Sequence, residues 1–271
     1  MELDAKTYDD FRALVYDVSG ITLGHGKEAL VSARIGKRMR ALGMDEFRSY
    51  LGIVKADPDG EEMVQLLDAI STNVTSFFRE SAHFDRIAEL FAGWLKQGQR
   101  RFRFWSAACS TGEEPYTLAM TLAEVLGGQD VDLKILATDI STKVLEKAAE
   151  GAYPESKLTG IPAALRGRYL QRESAGGEAV WRMKSVLRDR IVFKRFNLST
   201  PPFPMQGPMD VVLCRNVMIY FDNQVRQGLI NEIHRLLKPG GYLMVGHSES
   251  LTGIAGAFGT MGPSVYLKGA R

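Results

Sequence analysis

Two cysteines, Cys109 and Cys214, are all that the 271 residues hold. They are too few for a disulfide framework, and in a reducing compartment both are expected as thiols. The four histidines, His25, His83, His234 and His247, are scattered and show none of the spacings that bring imidazoles onto one ion, so no metal site is expected. Charge of one sign is also lacking. A formal net charge of +2 and a pI near 8.5 give no argument for nucleic acid, and none is expected as a partner. Long apolar runs are missing, since charge breaks every hydrophobic stretch within a few residues, and no secretory or lipidation signal is readable. A cytoplasmic protein without membrane insertion is therefore expected. Internal repeats and low-complexity segments are absent too.

What remains is an ordinary globular composition, 45% hydrophobic and 24% charged, enough for an α/β core and one small extra domain. The most informative stretch runs from Arg101 to Met120. Phe102, Phe104 and Trp105 favour a strand that ends in small residues, Ser106 to Ser110. Pro115, Leu118, Met120, Leu122 and Val125 then suit a helix. Strand, glycine turn and helix open a nucleotide-binding α/β fold. A pyrophosphate loop would need several glycines, yet here Gly112 stands before two carboxylates, Glu113 and Glu114, which would repel it. The same carboxylates suit a nucleoside with a cationic tail, as in S-adenosylmethionine; alternatively they only complement the helix dipole.

Residues 1–70 read as a helical domain. Phe11, Leu14, Val15 and Val18 form one apolar stripe, and Leu30, Val31, Ile35, Met39 and Leu42 a second. Arg34, Lys37 and Arg38 share the other face of that second helix, which is either simply solvated or a docking face for an acidic partner. Residues 71–95 form a linker and connecting helix, with Arg79 beside Phe77 and Phe78. Residues 96–271 return to α/β alternation. Asp139 ends the second strand, where a carboxylate can accept two hydrogen bonds from a ribose diol or can cap the next helix. An insertion over about 153–190 contains a β-hairpin around Gly176-Gly177. The fourth strand ends at Cys214, and the doubly wound order would place both thiols near the ligand crevice. Lys238-Pro-Gly-Gly241 is expected to stop a helix and turn into the strand Tyr242 to Val245, and the tail to form an edge hairpin.

Six blocks in one order, Thr72-Asn-Val-Thr-Ser-Phe-Phe-Arg-Glu80, Ser106-Ala-Ala-Cys-Ser-Thr-Gly-Glu-Glu-Pro-Tyr116, Ala137-Thr-Asp-Ile140, Cys214-Arg-Asn-Val-Met-Ile-Tyr-Phe-Asp222, Leu237-Lys-Pro-Gly-Gly241 and Gly246-His-Ser-Glu249, resemble the CheR family. Its members are S-adenosylmethionine-dependent methyltransferases that esterify glutamates of bacterial chemotaxis receptors. The resemblance implies a class I methyltransferase sheet, Rossmann-like and doubly wound, with an N-terminal helical domain and an inserted small β-subdomain. By motif position it implies cofactor contacts from Asn73, Thr75, Arg79, Glu113, Asp139, Asn197, Leu198, Arg215 and Asn216, with Arg79 and Tyr220 near the transferred methyl group. The implied partners are methyl-accepting receptors, docked at Arg34, Lys37 and Arg38 through their helices or held by a C-terminal peptide at the β-subdomain, whose edge Arg168, Arg172, Arg182 and Lys184 would flank. A monomer is expected. The alternative is a methyltransferase of another protein or of RNA. A base methyltransferase would usually carry an Asp/Asn-Pro-Pro-aromatic run after the fourth strand, where this chain has Arg215-Asn-Val-Met.

Overall fold

Helix signals at the N-terminus become four helices: α1 (Ala5–Ser19), α2 (Glu28–Ala41), α3 (Phe47–Ala56) and α4 (Glu61–Ile70). They belong to a computed structural model that describes residues 3–269 apart from 59, 176–177, 252, 255 and 257. Asp4 starts α1 by accepting the Thr7 N–H at 2.9 Å, and Gly20 ends it at φ 69°. A side chain at Gly20 would be strained by that φ, and its Cβ would lie 2.5 Å from Ser199 Cβ in the other domain. The apolar stripes meet in one core of Phe11, Val15, Ile35, Met39, Tyr50 and Leu66.

The basic face of α2 is not the free surface that its spacing suggests. Arg38 pairs with Glu62 through two hydrogen bonds, Nε at 2.9 Å and Nη2 at 2.6 Å, and Tyr50 Oη donates to the same carboxylate at 2.7 Å. Arg34 donates to the carbonyls of Ile70 at 2.6 Å and Ser71 at 3.3 Å, closing the carboxyl end of α4. Of the three cations expected to dock a partner, only Lys37 is exposed. Their charges were legible, but not the partners that take them up. The Arg38 guanidinium holds the Glu62 carboxyl below its ordinary 4.5. A carboxyl with a depressed folded pKa stabilises above its unfolded value and loses that contribution as pH falls through the folded one. Glu62→Gln should therefore unfold at lower urea than the wild type at neutral pH, and the gap should close as the solution is acidified well below 4.5. A gap of equal size at both pH values would contradict the pairing.

The rest of the chain runs α5 (Ala82–Lys96), β1 (Arg101–Ala107), α6 (Glu113–Leu126), β2 (Asp132–Asp139), α7 (Thr142–Glu150), β3 (Ala152–Pro154), α8 (Ala163–Tyr169), β4 (Leu170–Ala175), β5 (Glu178–Met183), α9 (Ser185–Arg188), β6 (Ile191–Arg195), β7 (Met209–Cys214), α10 (Asn223–Leu236), β8 (Leu237–Val245), β9 (Phe258–Gly262) and β10 (Val265–Lys268). Seven strands form one sheet in the order β6-β2-β1-β7-β8-β10-β9. The first five are parallel, and β10 is antiparallel to both neighbours. Because successive side chains of a strand point to opposite faces, Phe104 joins the core under α5 and α6, and Trp105 joins the core under α10. This is the class I S-adenosylmethionine methyltransferase sheet, Rossmann-like and doubly wound. The chain leaves β1 outward through β2 and β6, then returns to β7 on the other side. The crevice at that switch point, outside the carboxyl ends of β1 and β7, is where such folds bind ligands.

Lys238-Pro-Gly-Gly241 is not a turn before the last parallel strand but part of β8. Met209 pairs with Leu237 and Val211 with Tyr242, so residues 238–241 bulge out of register, with Gly240 at φ 75°. The insertion folds as a second sheet, β3-β5-β4, antiparallel throughout. Its expected tip, Gly176-Gly177, lies outside the described residues. Arg168 pairs with Glu124 and Arg182 with Glu173, and Lys184 Nζ donates to the Arg168 carbonyl at 2.8 Å; of the four cations expected there Arg168 and Arg172 are exposed, Arg168 with its charge already paired. Among the described residues no helix is long and apolar enough to cross a membrane.

Several contacts among the described residues tie the helical domain to the sheet domain, including a hydrogen bond from Thr142 Oγ1 to Asp68 Oδ2 at 3.4 Å. Ile21 bridges Phe221 as antiparallel backbone, Tyr16 Oη donates to Asp222 Oδ2 at 2.5 Å, and Asn197 Nδ2 donates to the Val18 carbonyl at 2.7 Å. These contacts hold the first domain over the carboxyl ends of the strands.

Candidate active site

Between the helical roof and the strand ends lies a cleft of about 1300 Å³, part of it open to solvent. The loop leaving β1 shapes its floor. Ala108 (φ 98°), Ser110 (φ 48°) and Gly112 (φ 95°) all take left-handed conformations, which cost the two non-glycine residues roughly 1–3 kcal/mol each. The Ala108 and Cys109 N–H groups both donate to the Thr138 carbonyl, at 2.9 and 2.8 Å, folding the loop against β2. At Gly112 a Cβ would stand 2.8 Å from Tyr153 Oη and 2.9 Å from Ala148 Cβ, so only glycine fits.

Asp139 sits at the end of β2, 8% exposed, and lines the cleft. Its Oδ2 accepts the Ser110 N–H at 2.9 Å and its Oδ1 the Ser141 N–H at 3.0 Å, so each oxygen keeps a second lone pair. Burial pushes its pKa up, against the opposing pull of the backbone N–H groups. The capping role belongs to its neighbour: Ser141 Oγ accepts the Val144 N–H and starts α7.

Of the two carboxylates that follow Gly112, it is Glu114 and not Glu113 that faces the cleft. Consecutive residues of a helix point about 100° apart, and the cap at Gly112 sets the phase. Glu113 turns away to accept the Thr111 hydroxyl at 2.6 Å, with Lys157 Nζ 3.9 Å from its other oxygen. Glu114 accepts Ser106 Oγ at 2.7 Å and Arg215 Nη1 at 2.9 Å. Arg215, after β7, also reaches Glu80 at 3.0 Å and the Arg79 carbonyl, and lies 5.4 Å from the centre of the Phe84 ring. Burial raises the Glu114 pKa despite Arg215. For Glu80 burial acts in the same direction, but Arg215 and the His247 N–H outweigh it and the net shift is down.

Asn73, Thr75, Arg79, Asn197, Leu198, Asn216 and Tyr220 all line this same cleft. Asn197 does so while spending its amide on Val18 and its oxygen on Ser199. Arg79 Nη1 donates to the Val74 carbonyl at 3.1 Å. Neither cysteine lines it. Both lie beside it, next to the cleft-lining residues Ala108, Ser110 and Arg215, but are buried, which pushes their thiols well above the ordinary range.

Glu249 was not foreseen as a site residue. Its buried carboxylate accepts four backbone N–H groups, those of Gly246 (2.7 Å), Asn216 (2.7 Å), Met218 (2.8 Å) and Ile219 (3.3 Å). It thereby fixes the turn that carries Asn216, at φ 58°, and Tyr220. The Gly246-His-Ser-Glu249 block was the signal, without a role attached.

The donor set suits a nucleoside with a cationic tail. Ile140, Phe196, Leu198 and Val217 supply apolar wall, Asp139 free lone pairs, and Glu114 a carboxylate.

Comparison with known proteins agrees. Residues 6–71 match the family model described as "CheR methyltransferase, all-alpha domain" and residues 73–267 the one described as "CheR methyltransferase, SAM binding domain". A "Chemotaxis protein methyltransferase" of Salmonella typhimurium is 39% identical over 253 residues, 93% of this chain and 86% of that one. A protein of the same description from Borreliella burgdorferi is 38% identical over 89% of this chain and 86% of its own. "Chemotaxis protein methyltransferase 2" of Pseudomonas aeruginosa is 38% identical over 96% of this chain and 93% of its own.

Proposed function

Because the chain belongs to the CheR methyltransferase family, we propose that it transfers methyl groups from S-adenosylmethionine to glutamate carboxylates of chemotaxis receptors, giving methyl esters and S-adenosylhomocysteine, with Arg79 and Tyr220 at the reacting carboxylate. The observation that carries this reading is the single cleft that gathers Asp139, Glu114, Arg79 and Tyr220 at the switch point of the sheet. Asp139 accepts the ribose hydroxyls on its free lone pairs, and Asn73, Thr75, Asn197, Leu198, Arg215 and Asn216 complete the cofactor's contacts. Glu114 takes the place that the motif reading gave to Glu113.

S-adenosylmethionine supplies a methyl group on a positively charged sulfur, and a glutamate, already ionised at neutral pH, needs no general base to accept it. The chain's own contribution is positioning and exclusion of water. The roof formed by Ile21, Leu23 and Val31 keeps water from ions that it would otherwise stabilise. Arg79 orients the substrate carboxylate and Tyr220 donates to it, loosely enough to leave the nucleophile its charge.

The protein acts as a cytoplasmic monomer on receptor helices. Lys37 and Arg40, exposed on α2, supply the positive surface, while a C-terminal receptor peptide pairing with the β4 edge beside Arg172 would act as a tether. Transfer of labelled methyl groups to the receptors, followed by release of the label in base, tests the reaction. Arg79→Lys keeps the charge and loses the planar fork, and should lower kcat by about tenfold or more, as Tyr220→Phe should by losing its donor. Wild-type kcat in both variants would move the reacting carboxylate elsewhere.

A further inference from the structure

Beside the cleft, three side chains that the methyl-transfer reading leaves without a role come together. Glu80 and His83 begin α5 and its approach; His247 follows β8. The His247 N–H donates to Glu80 at 3.2 Å, the two imidazole centres are 5.3 Å apart, and His83 Nδ1 is 3.7 Å from Glu80 Oε2. One ligating atom from each of the three residues lies within 4.8 Å of the others. His83 is 2% exposed, and among the described residues neither of its ring nitrogens has a hydrogen-bond partner. Buried polar atoms are rarely left so. His247 is exposed and gives an ion a way in.

We propose that Glu80, His83 and His247 form an inhibitory site for a transition-metal dication of the zinc class. Two imidazoles and one carboxylate are a usual ligand set for such an ion, with solvent completing a tetrahedron. Bonds near 2 Å require the three groups to close by roughly an ångström, which the loop carrying His247 can supply. The nearby Arg215 guanidinium opposes the ion and competes with it for Glu80, so affinity is modest. That competition is also the reason for inhibition. An ion that takes Glu80 removes one of the two carboxylates that hold Arg215, and Arg215 in turn holds the backbone carbonyl of Arg79 in the cleft.

The test uses the full chain, freed of metal with a chelator. Titration calorimetry with zinc chloride alone, without cofactor or receptor, should show one equivalent bound at about micromolar affinity. Cobalt(II) in place of zinc should give the visible absorption of a nitrogen-ligated four-coordinate ion. His247→Ala keeps the backbone N–H that Glu80 accepts. It should weaken zinc binding by about tenfold or more, shift zinc inhibition of methyl transfer by the same factor, and leave metal-free turnover unchanged. His83→Gln should abolish the cobalt spectrum. No binding at hundreds of micromolar zinc would overturn the site, as would zinc affinity and cobalt absorption unchanged in both variants, which would place the ion at His25 or His234. The calorimetric arm does not depend on which molecule the enzyme methylates.

Discussion

Replacement of Arg215 by methionine is expected to lower stability by about 3–5 kcal/mol, because it leaves two inward-facing carboxylates without their cation. The Arg215 side chain is 2% exposed, and both partners, Glu80 and Glu114, are 13% exposed at the side chain. Methionine roughly fills the volume and can pack on Phe84, so the loss is electrostatic. Burial already raises the Glu114 pKa with the guanidinium in place, and without it the rise is larger. A carboxyl with a raised folded pKa burdens the fold fully above that pKa, less as pH falls through it, and not at all below its unfolded value. The deficit should therefore shrink as pH is lowered, and changing Glu80 and Glu114 to Gln in the Arg215→Met background should restore part of the urea midpoint. A midpoint equal to wild type in the single variant would mean that the triad contributes nothing.

Asp139→Ala is expected to weaken S-adenosylmethionine binding by at least about tenfold. Hydrogen bonds to a charged acceptor contribute about 1.5–3 kcal/mol each, and tenfold corresponds to about 1.4 kcal/mol. The same change releases the Ser110 and Ser141 N–H groups, and Ser110 lies in the left-handed loop of the cleft floor. Asp139→Asn separates the two effects, since its single carbonyl oxygen can retain one of those N–H groups. Isothermal calorimetry gives both affinities. Unchanged affinity in a folded alanine variant would remove Asp139 from the cofactor site.

The sheet was readable because its central strands are buried on both faces and so appear as short apolar runs, and Asp139 because strand ends at a switch point have a fixed place. Side-chain partnerships were not. Helical spacing puts Arg34 and Arg38 on one face but says nothing of Glu62, 24 residues away and across a packed interface. The choice between Glu113 and Glu114 turns on helix phase, which depends on a left-handed Gly112 that composition alone does not place. Residues 238–241 look like a turn because a proline and two glycines punctuate most strands, yet a bulge absorbs them without ending β8. Glu80 and His247 are 167 positions apart, so no local pattern could have joined them.

The ties between roof and floor also order events on the ribosome. The helical domain has its own core and emerges first, but Tyr16 finds Asp222 only after a further 206 residues have been made. At about 5–20 residues per second that is roughly 10–40 s of synthesis. Through that interval one flank of the bundle has backbone and hydroxyl groups waiting for partners, and the cleft has a ceiling without a floor. Cofactor can then play no part in guiding the early bundle. If Arg215, Asn216 and Tyr220 hold the cofactor and substrate as proposed, ligand stabilisation reaches the chain only after β7 and the turn beyond it have been added, the same stretch that brings in Phe221 and Asp222.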